Sequence, residues 1–198
     1  MTDLLPITLA SQSAVRRAVL TAAGVPFAAQ SPGVDEDIVK TEMAGAEPAA
    51  IAGALAEKKA LAVSAKRDGL VIGADQILVF EGALWDKALS MAEAEERLTV
   101  LRGKSHELVC GVAIAHGGDI VWRHSQVSRL VMREFSDEFL AHYLHEAGED
   151  ILASVGCYQL EGLGAQLFAA IEGDYFAVLG LPLLPVLDAL RDHGGLAA

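Results

Sequence analysis

The chain has 198 residues, 53% of them hydrophobic, and a formal charge of −12. That is enough apolar material for a sizeable core, and the charge has the wrong sign for a protein whose main partner is a nucleic-acid polymer or an anionic membrane. Disorder is excluded, one domain or one domain in two lobes is expected over residues 1–198, and small anions can still be held where cations cluster locally.

From the N-terminus, Pro6 to Leu9 reads as a strand, then Ser11-Gln12-Ser13 leads into a helix from about Ala14 to Ala23, closed by Gly24. Serines at a helix start, its unsatisfied N–H groups and Arg16 and Arg17 can hold a phosphate; the plainer reading is an ordinary N-cap with solvated arginines. Ser31 to Val39 is turn-rich and holds Asp35 and Glu36, acids of a loop that are either solvated or suited to a divalent cation. A second helix runs from about Pro48 to Ala65, with Ile51, Leu55 and Ala62 on one face, and one of Lys58 and Lys59 is expected to point from its edge toward the strands.

Leu70 to Lys87 follows, the stretch that carries the chemistry. Val71-Ile72 and Ile77 to Phe80 have the composition of buried strand, so the carboxylate of Asp75 between them needs a cation, metal or water. Gly73-Ala74 permit close approach of a backbone or ligand, and the turn at Glu81-Gly82 brings the chain back through Trp85 to Lys87. The alternative is a glycine kink with a structural aspartate.

Ser90 to Glu93 is a capping box opening a helix to Leu101. Gly103-Lys104-Ser105 is not a phosphate-binding loop of the P-loop type, because Leu98 stands where the first glycine belongs and a strand follows. Leu108 to Ala115 and Ile120 to Phe135 form a hairpin about His116-Gly117-Gly118-Asp119, with Val127, Leu130 and Met132 expected on a covered face and Arg129 and Arg133 on a solvated one. Ser136 caps a helix ending at Ala147, where His142 and His145 lack a third ligand for zinc. Beyond it, Gly162-Leu163-Gly164 is no dinucleotide fingerprint, since Leu167 replaces the third glycine; such a loop better suits wrapping a ligand edge. A last helix starts near Pro182 and ends by Asp192. No leader is expected from MTDLLPITLASQS, and Tyr175 to Leu190 is too short and too broken by Pro182, Pro185 and Asp188 to span a bilayer, so a cytoplasmic protein is expected. Cys110 and Cys157 read as reduced, partly buried thiols.

Taken together, Leu9-Ala10-Ser11-Gln12-Ser13 with Arg16, Asp35-Glu36, Leu55-Ala56 with Lys59-Ala60, Gly73-Ala74-Asp75, Lys87, Gly103-Lys104-Ser105-His106, Glu161-Gly162 and Gly180-Leu181-Pro182-Leu183 resemble the Maf family of nucleotide pyrophosphatases, in order and spacing. The resemblance implies an α/β, Maf/ITPase-like fold: a twisted mixed sheet flanked by helices, with two lobes about a central cleft. It also implies hydrolysis of a nucleoside triphosphate to the monophosphate and pyrophosphate, a divalent metal (magnesium, manganese or cobalt) and a homodimer. Carried over by position, Ser11, Ser13 and Arg16 would cradle phosphates, Lys59 and Lys87 would neutralise them, Glu36 and Asp75 would handle metal and water, and Asp75 would be the general base.

Three positions depart from the pattern of the pyrimidine-triphosphate members: Val15 where an arginine is common, Gln76 where the aspartate is usually followed by threonine, and Glu161 where glutamine precedes glycine. These resemble the 7-methyl-GTP branch. A carboxylate at Glu161 would accept the two N–H donors of a methylated guanine and meet its positive charge. The rival expectations are a dTTP or UTP pyrophosphatase and a non-catalytic regulator of septum formation; the acids and lysines that remain in place argue against the second.

Overall fold

The computed structural model describes residues 4–197. Seven strands form one open mixed sheet in the order β2-β1-β3-β5-β6-β7, with β4 paired to β3. They are β1 Ile7–Ala10, β2 Ala28–Ala29, β3 Leu70–Phe80, β4 Ala83–Trp85, β5 Ser105–His116, β6 Asp119–Met132 and β7 Phe168–Glu172. Seven α-helices accompany them: α1 Ala14–Ala22, α2 Glu36–Glu42, α3 Pro48–Ser64, α4 Met91–Leu101, α5 Asp137–Ala147, α6 Tyr175–Val178 and α7 Leu183–Asp192. Among the described residues, no helix is long and apolar enough to cross a membrane.

The chain divides into two compact units. The first gathers three separated segments: residues up to Gln76, Cys110–Gln126, and Tyr175 onward. Its strands alternate as a sheet covered on both faces demands. Ile7, Leu9, Leu70, Ile72 and Ala74 join Val19, Leu20, Val186 and Leu190 in one core, placing α1 and α7 on that side. Ala10 and Val71 pack with Ala60 and Val63 of α3 on the other. Asp75 shares parity with Val71 and Gly73, so it lies on the α3 side.

On that side α3 runs unusually near the strands, because the residues between them are small. A Cβ on Gly73 would lie 2.1 Å from the Ala56 carbonyl oxygen and 2.7 Å from the Ala60 nitrogen, and one on Gly111 would meet the Ala52 carbonyl carbon at 2.4 Å. Gly73 is therefore a close-approach residue inside one unbroken strand, not a kink between two. The buried stripe of α3 is Ile51, Ala52, Leu55, Ala56, Lys59, Ala60, Val63 and Ser64; Ala62, expected beside Ile51 and Leu55, is only half-buried.

The second unit comprises Ile77–Val109 and Val127–Asp174. Its helices start as their caps foretell: Ser90 Oγ accepts from the Glu93 N–H and Ser136 Oγ from that of Phe139. In β6 the buried residues are Ser128, Leu130 and Met132, whereas Val127 is exposed on the side of Arg129. The expectation of a covered Val127 fails on parity, since side chains alternate at period two and it is an odd number of residues from Leu130. The carboxyl group of Glu172 lies 3.6 Å from Arg129 where β7 pairs β6.

Candidate active site

In the first unit the parallel pairing of β1 and β3 sets Ala10 opposite Gly73. One residue further, the chain leaves β1 as Ser11 and turns into α1, while β3 continues to Ala74 and Asp75. The carboxyl ends of parallel strands beside a helix N-terminus are where open α/β sheets collect ligands.

The α1 start is built from its own side chains. Ser13 Oγ accepts from the Arg16 N–H, and Ser11 Oγ accepts from both the Ser13 N–H and Arg16 Nη1. Arg16 is half-buried and anchored: its Nε donates at 2.7 Å to the carbonyl of Gly180. Gly180 has φ +86, and a Cβ there would stand 3.2 Å from that same Nε, so only glycine suits the seat. Arg17 is exposed, and Val15 is half-buried on the first turn of α1. Serines, a fixed guanidinium and the positive end of the helix dipole are the groups from which anion sites at helix starts are built.

The second cluster lies between α2, α3 and β3. Lys59 and Asp75 are each 6% exposed, and Lys59 Nζ donates to Asp75 Oδ1 at 2.6 Å and meets Glu36 Oε1 at 2.7 Å. This answers the sequence question: the lysine that turns inward is Lys59, while Lys58 reaches Glu42 at 3.2 Å. The close packing of α3 on Gly73 is what allows an ammonium to reach a strand carboxylate at all. One ammonium against two carboxylates leaves net negative charge, and the Glu36 side chain, 43% exposed, opens the cluster to solvent. Asp35 and Glu36 are not loop acids. Asp35 caps α2, its Oδ1 accepting from Asp37 and Ile38, and Glu36 is the first helical residue, so the cap fixes where Glu36 sits.

Two converging carboxylates fit a hard divalent cation that completes its oxygen shell with phosphate oxygens and water. Glu36 and Asp75 are the residues that would hold it. Among the described residues, no cluster of three or more histidine, cysteine or acidic side chains offers an all-protein metal cage.

Gln76, next to Asp75, is half-buried with its amide already engaged. Nε2 donates to the carbonyls of Ala177 at 2.9 Å and Val178 at 3.0 Å, the end of α6. Gln76 and Arg16 thus tie one segment, Ala177 to Gly180, from two directions.

Lys87 and Glu161 belong to the second unit, and both are exposed. Lys87 follows β4 in a segment pinned by Arg97, which donates to the Asp86 carbonyl, stands 5.4 Å over the Trp85 ring and pairs with Glu93 at 2.6 Å. The Leu89 N–H and Arg97 together hold the Glu93 carboxyl below its usual range. Sequence reasoning passed over Arg97; its spacing of four from Glu93 was the available signal. Glu161 occupies the third position of a turn closed by the Gly162 N–H on the Gln159 carbonyl at 3.2 Å.

Comparison with known proteins places the chain in a family. A family model described as Maf-like protein matches residues 6–193. A nucleoside triphosphate pyrophosphatase of Caulobacter vibrioides is 53% identical over 196 residues, 98% of each chain. One of the same name from Granulibacter bethesdensis is 49% identical over 193 residues, 96% of this chain and 98% of the relative. A 7-methyl-GTP pyrophosphatase of Rhizobium meliloti is 44% identical over 195 residues, 97% of this chain and 98% of the relative. With the family model matched over nearly its whole length and half of its residues shared with full-length relatives, the chain belongs to the Maf family.

Proposed function

We propose that this chain, a nucleoside triphosphate pyrophosphatase, takes 7-methyl-GTP or a related modified nucleotide and releases the monophosphate and pyrophosphate. The observation that carries the chemistry is the buried Lys59–Asp75 pair with Glu36 at its open side, one strand away from an anion-binding helix start. Ser11, Ser13 and Arg16 hold the phosphate chain, and Asp75 takes the proton of the attacking water. Lys59 holds Asp75 in an ion pair and keeps it aimed, and Lys87 is the cation that the family resemblance assigns to the leaving pyrophosphate. A divalent cation held by Glu36 and Asp75 would polarise the phosphate and acidify water.

For the base, the reading rests on Glu161 in place of glutamine and on the 7-methyl-GTP pyrophosphatase among the relatives. The relatives at 53% and 49% carry the broader name only. A site built to hydrogen-bond its substrate rejects analogues lacking the matching groups by about 10⁴-fold, so a strong preference is physically attainable. The test is pyrophosphate release across 7-methyl-GTP, GTP, UTP and dTTP with magnesium, manganese or cobalt. The expected result is the highest kcat/KM for 7-methyl-GTP and no turnover after chelation. Preference for UTP or dTTP overturns the base assignment while leaving the phosphate chemistry in place, and full activity in chelator overturns the metal assignment.

A further inference from the structure

In the second unit a polar pair is buried that the chemistry above does not use. His106 of β5 is 2% exposed and Tyr158 is 4% exposed, with His106 Nε2 and the Tyr158 hydroxyl 2.5 Å apart. His106 Nδ1 has no partner. A buried hydrogen bond between two large side chains is retained when it fixes a geometry. The geometry here is that of the loop bearing Glu161.

The loop is closed at both ends on His106. Tyr158 begins it, Phe168 ends it, and the three rings form one cluster: Tyr158 and Phe168 meet edge to face with centroids 4.8 Å apart, and His106 lies 5.6 and 6.2 Å from them. The chain pays local strain to reach this arrangement. Cys157 has φ +57, and a Cβ on Gly156 would lie 2.2 Å from the Tyr158 ring, so the ring folds back over a residue that only glycine can supply. Either side of Tyr158 is tied down: the Tyr143 hydroxyl donates to the Cys157 carbonyl at 3.1 Å, and Gln159 Nε2 to that of Asp150 at 3.3 Å. Gly164 then sits on the Gln159 backbone, where a Cβ would come within 2.6 Å of its oxygen. The residues that flank the Gln159–Gly162 turn are held, and Glu161 within it is exposed.

We infer that His106 and Tyr158 are positioning residues for base recognition, a clamp that fixes the turn on which Glu161 is presented. This rests on the reading of Glu161 as the base-recognising carboxylate. A carboxylate on a free loop would lose ordering entropy each time it bound, whereas one on a clamped turn meets both N–H donors already aligned.

The test compares the parent with Tyr158→Phe, Glu161→Gln and the double variant. Tyr158→Phe keeps the ring and removes only the hydroxyl; His106→Leu with Tyr158→Phe, which removes both polar ends, is the second route should the single change fold poorly. Measured are kcat and KM for 7-methyl-GTP and GTP, and amide hydrogen exchange over residues 159–164. Glu161→Gln is expected to lower the 7-methyl-GTP to GTP ratio of kcat/KM by about tenfold or more, and Tyr158→Phe to lower it by about tenfold, through KM and not kcat. Tyr158→Phe should add nothing in the Glu161→Gln background and should speed exchange in the turn. If Glu161→Gln moves the ratio and Tyr158→Phe does not, or moves it equally in both backgrounds, the clamp is overturned. If Glu161→Gln leaves the ratio unchanged, the base assignment falls, and the clamp then stands or falls on whether exchange over 159–164 quickens.

Discussion

Each unit of this protein buries a close pair of polar side chains, and the two pairs are opposite in kind. Lys59 and Asp75 are both ionisable, and Glu36 gives their cluster a solvent-facing side. His106 and Tyr158 are sealed, and burial keeps both neutral: it lowers His106 to about 4 and raises Tyr158 well above its ordinary value. A neutral pair costs less to bury than charges do, so it serves where only shape is needed. Buried charges that open to solvent, as Lys59 and Asp75 do through Glu36, are candidates for chemistry.

The comparison breaks first at Asp75. Asp75→Asn keeps size and removes the carboxylate proposed as base, and steady-state pyrophosphate release should fall by about 10²–10⁴ with circular dichroism and nucleotide binding retained. A variant within about twofold of the parent would take Asp75 out of the chemistry. Next, Lys59→Met leaves Asp75 buried without its cation. Breaking such a pair from one side costs about 3–5 kcal/mol, to be read by urea unfolding, and activity should be lost alongside. An unchanged midpoint would mean that water, not Lys59, pays for the carboxylate's burial.

The neutral pair answers to pH. His106 binds a proton in the unfolded chain below about 6.5 but in the folded protein only near 4. Its contribution is therefore full above the unfolded pKa and is lost as pH falls from about 6.5 toward 4, amounting to about 3 kcal/mol. Thermal melts of parent and His106→Gln across that window should converge at the acid end, and parallel curves would show that the imidazole is not kept neutral by its burial. Smallest is Gly73→Ala, one methyl group driven into the Ala56 carbonyl. It should cost about 1–3 kcal/mol by overpacking and lower kcat by displacing α3, which carries Lys59. A neutral outcome would mean that α3 can withdraw without disturbing the pair.

What the sequence disclosed follows from how local each signal is. Ser13, Ser90 and Ser136 announce α1, α4 and α5 within a residue or two, because an N-cap is chemistry among neighbours. The α2 helix was legible in principle, with Asp35 as cap, Glu36 and Asp37 in the first turn and Lys40 in the last. Its seven residues bury only Val39, too little periodicity to set against a turn-rich composition. β2 and α6, of two and four residues, fall below any pattern. In the site, the sequence could require a partner for Asp75 and place a lysine at the edge of α3. It could not couple Glu36 to the same ammonium, nor foresee that the Gln76 amide is spent on carbonyls 101 and 102 residues away. Arg16 was read as a phosphate ligand, yet its bond to Gly180 joins positions 164 apart, and only the fold brings them together.

The segmented first unit has a consequence for how the protein is made. Its core needs Leu183, Val186 and Leu190 of α7 against Ile7 and Leu9 of β1. A nascent chain thus carries its first strands out of the ribosome well before their covering helix exists. Between Gln76 and Tyr175, synthesis of about 100 residues at about 5–20 residues per second leaves that apolar face with α1 but without α7 for about 5–20 s, long enough to engage chaperones. A chain truncated before Tyr175 would lack α7 altogether and keep only α1 on this face.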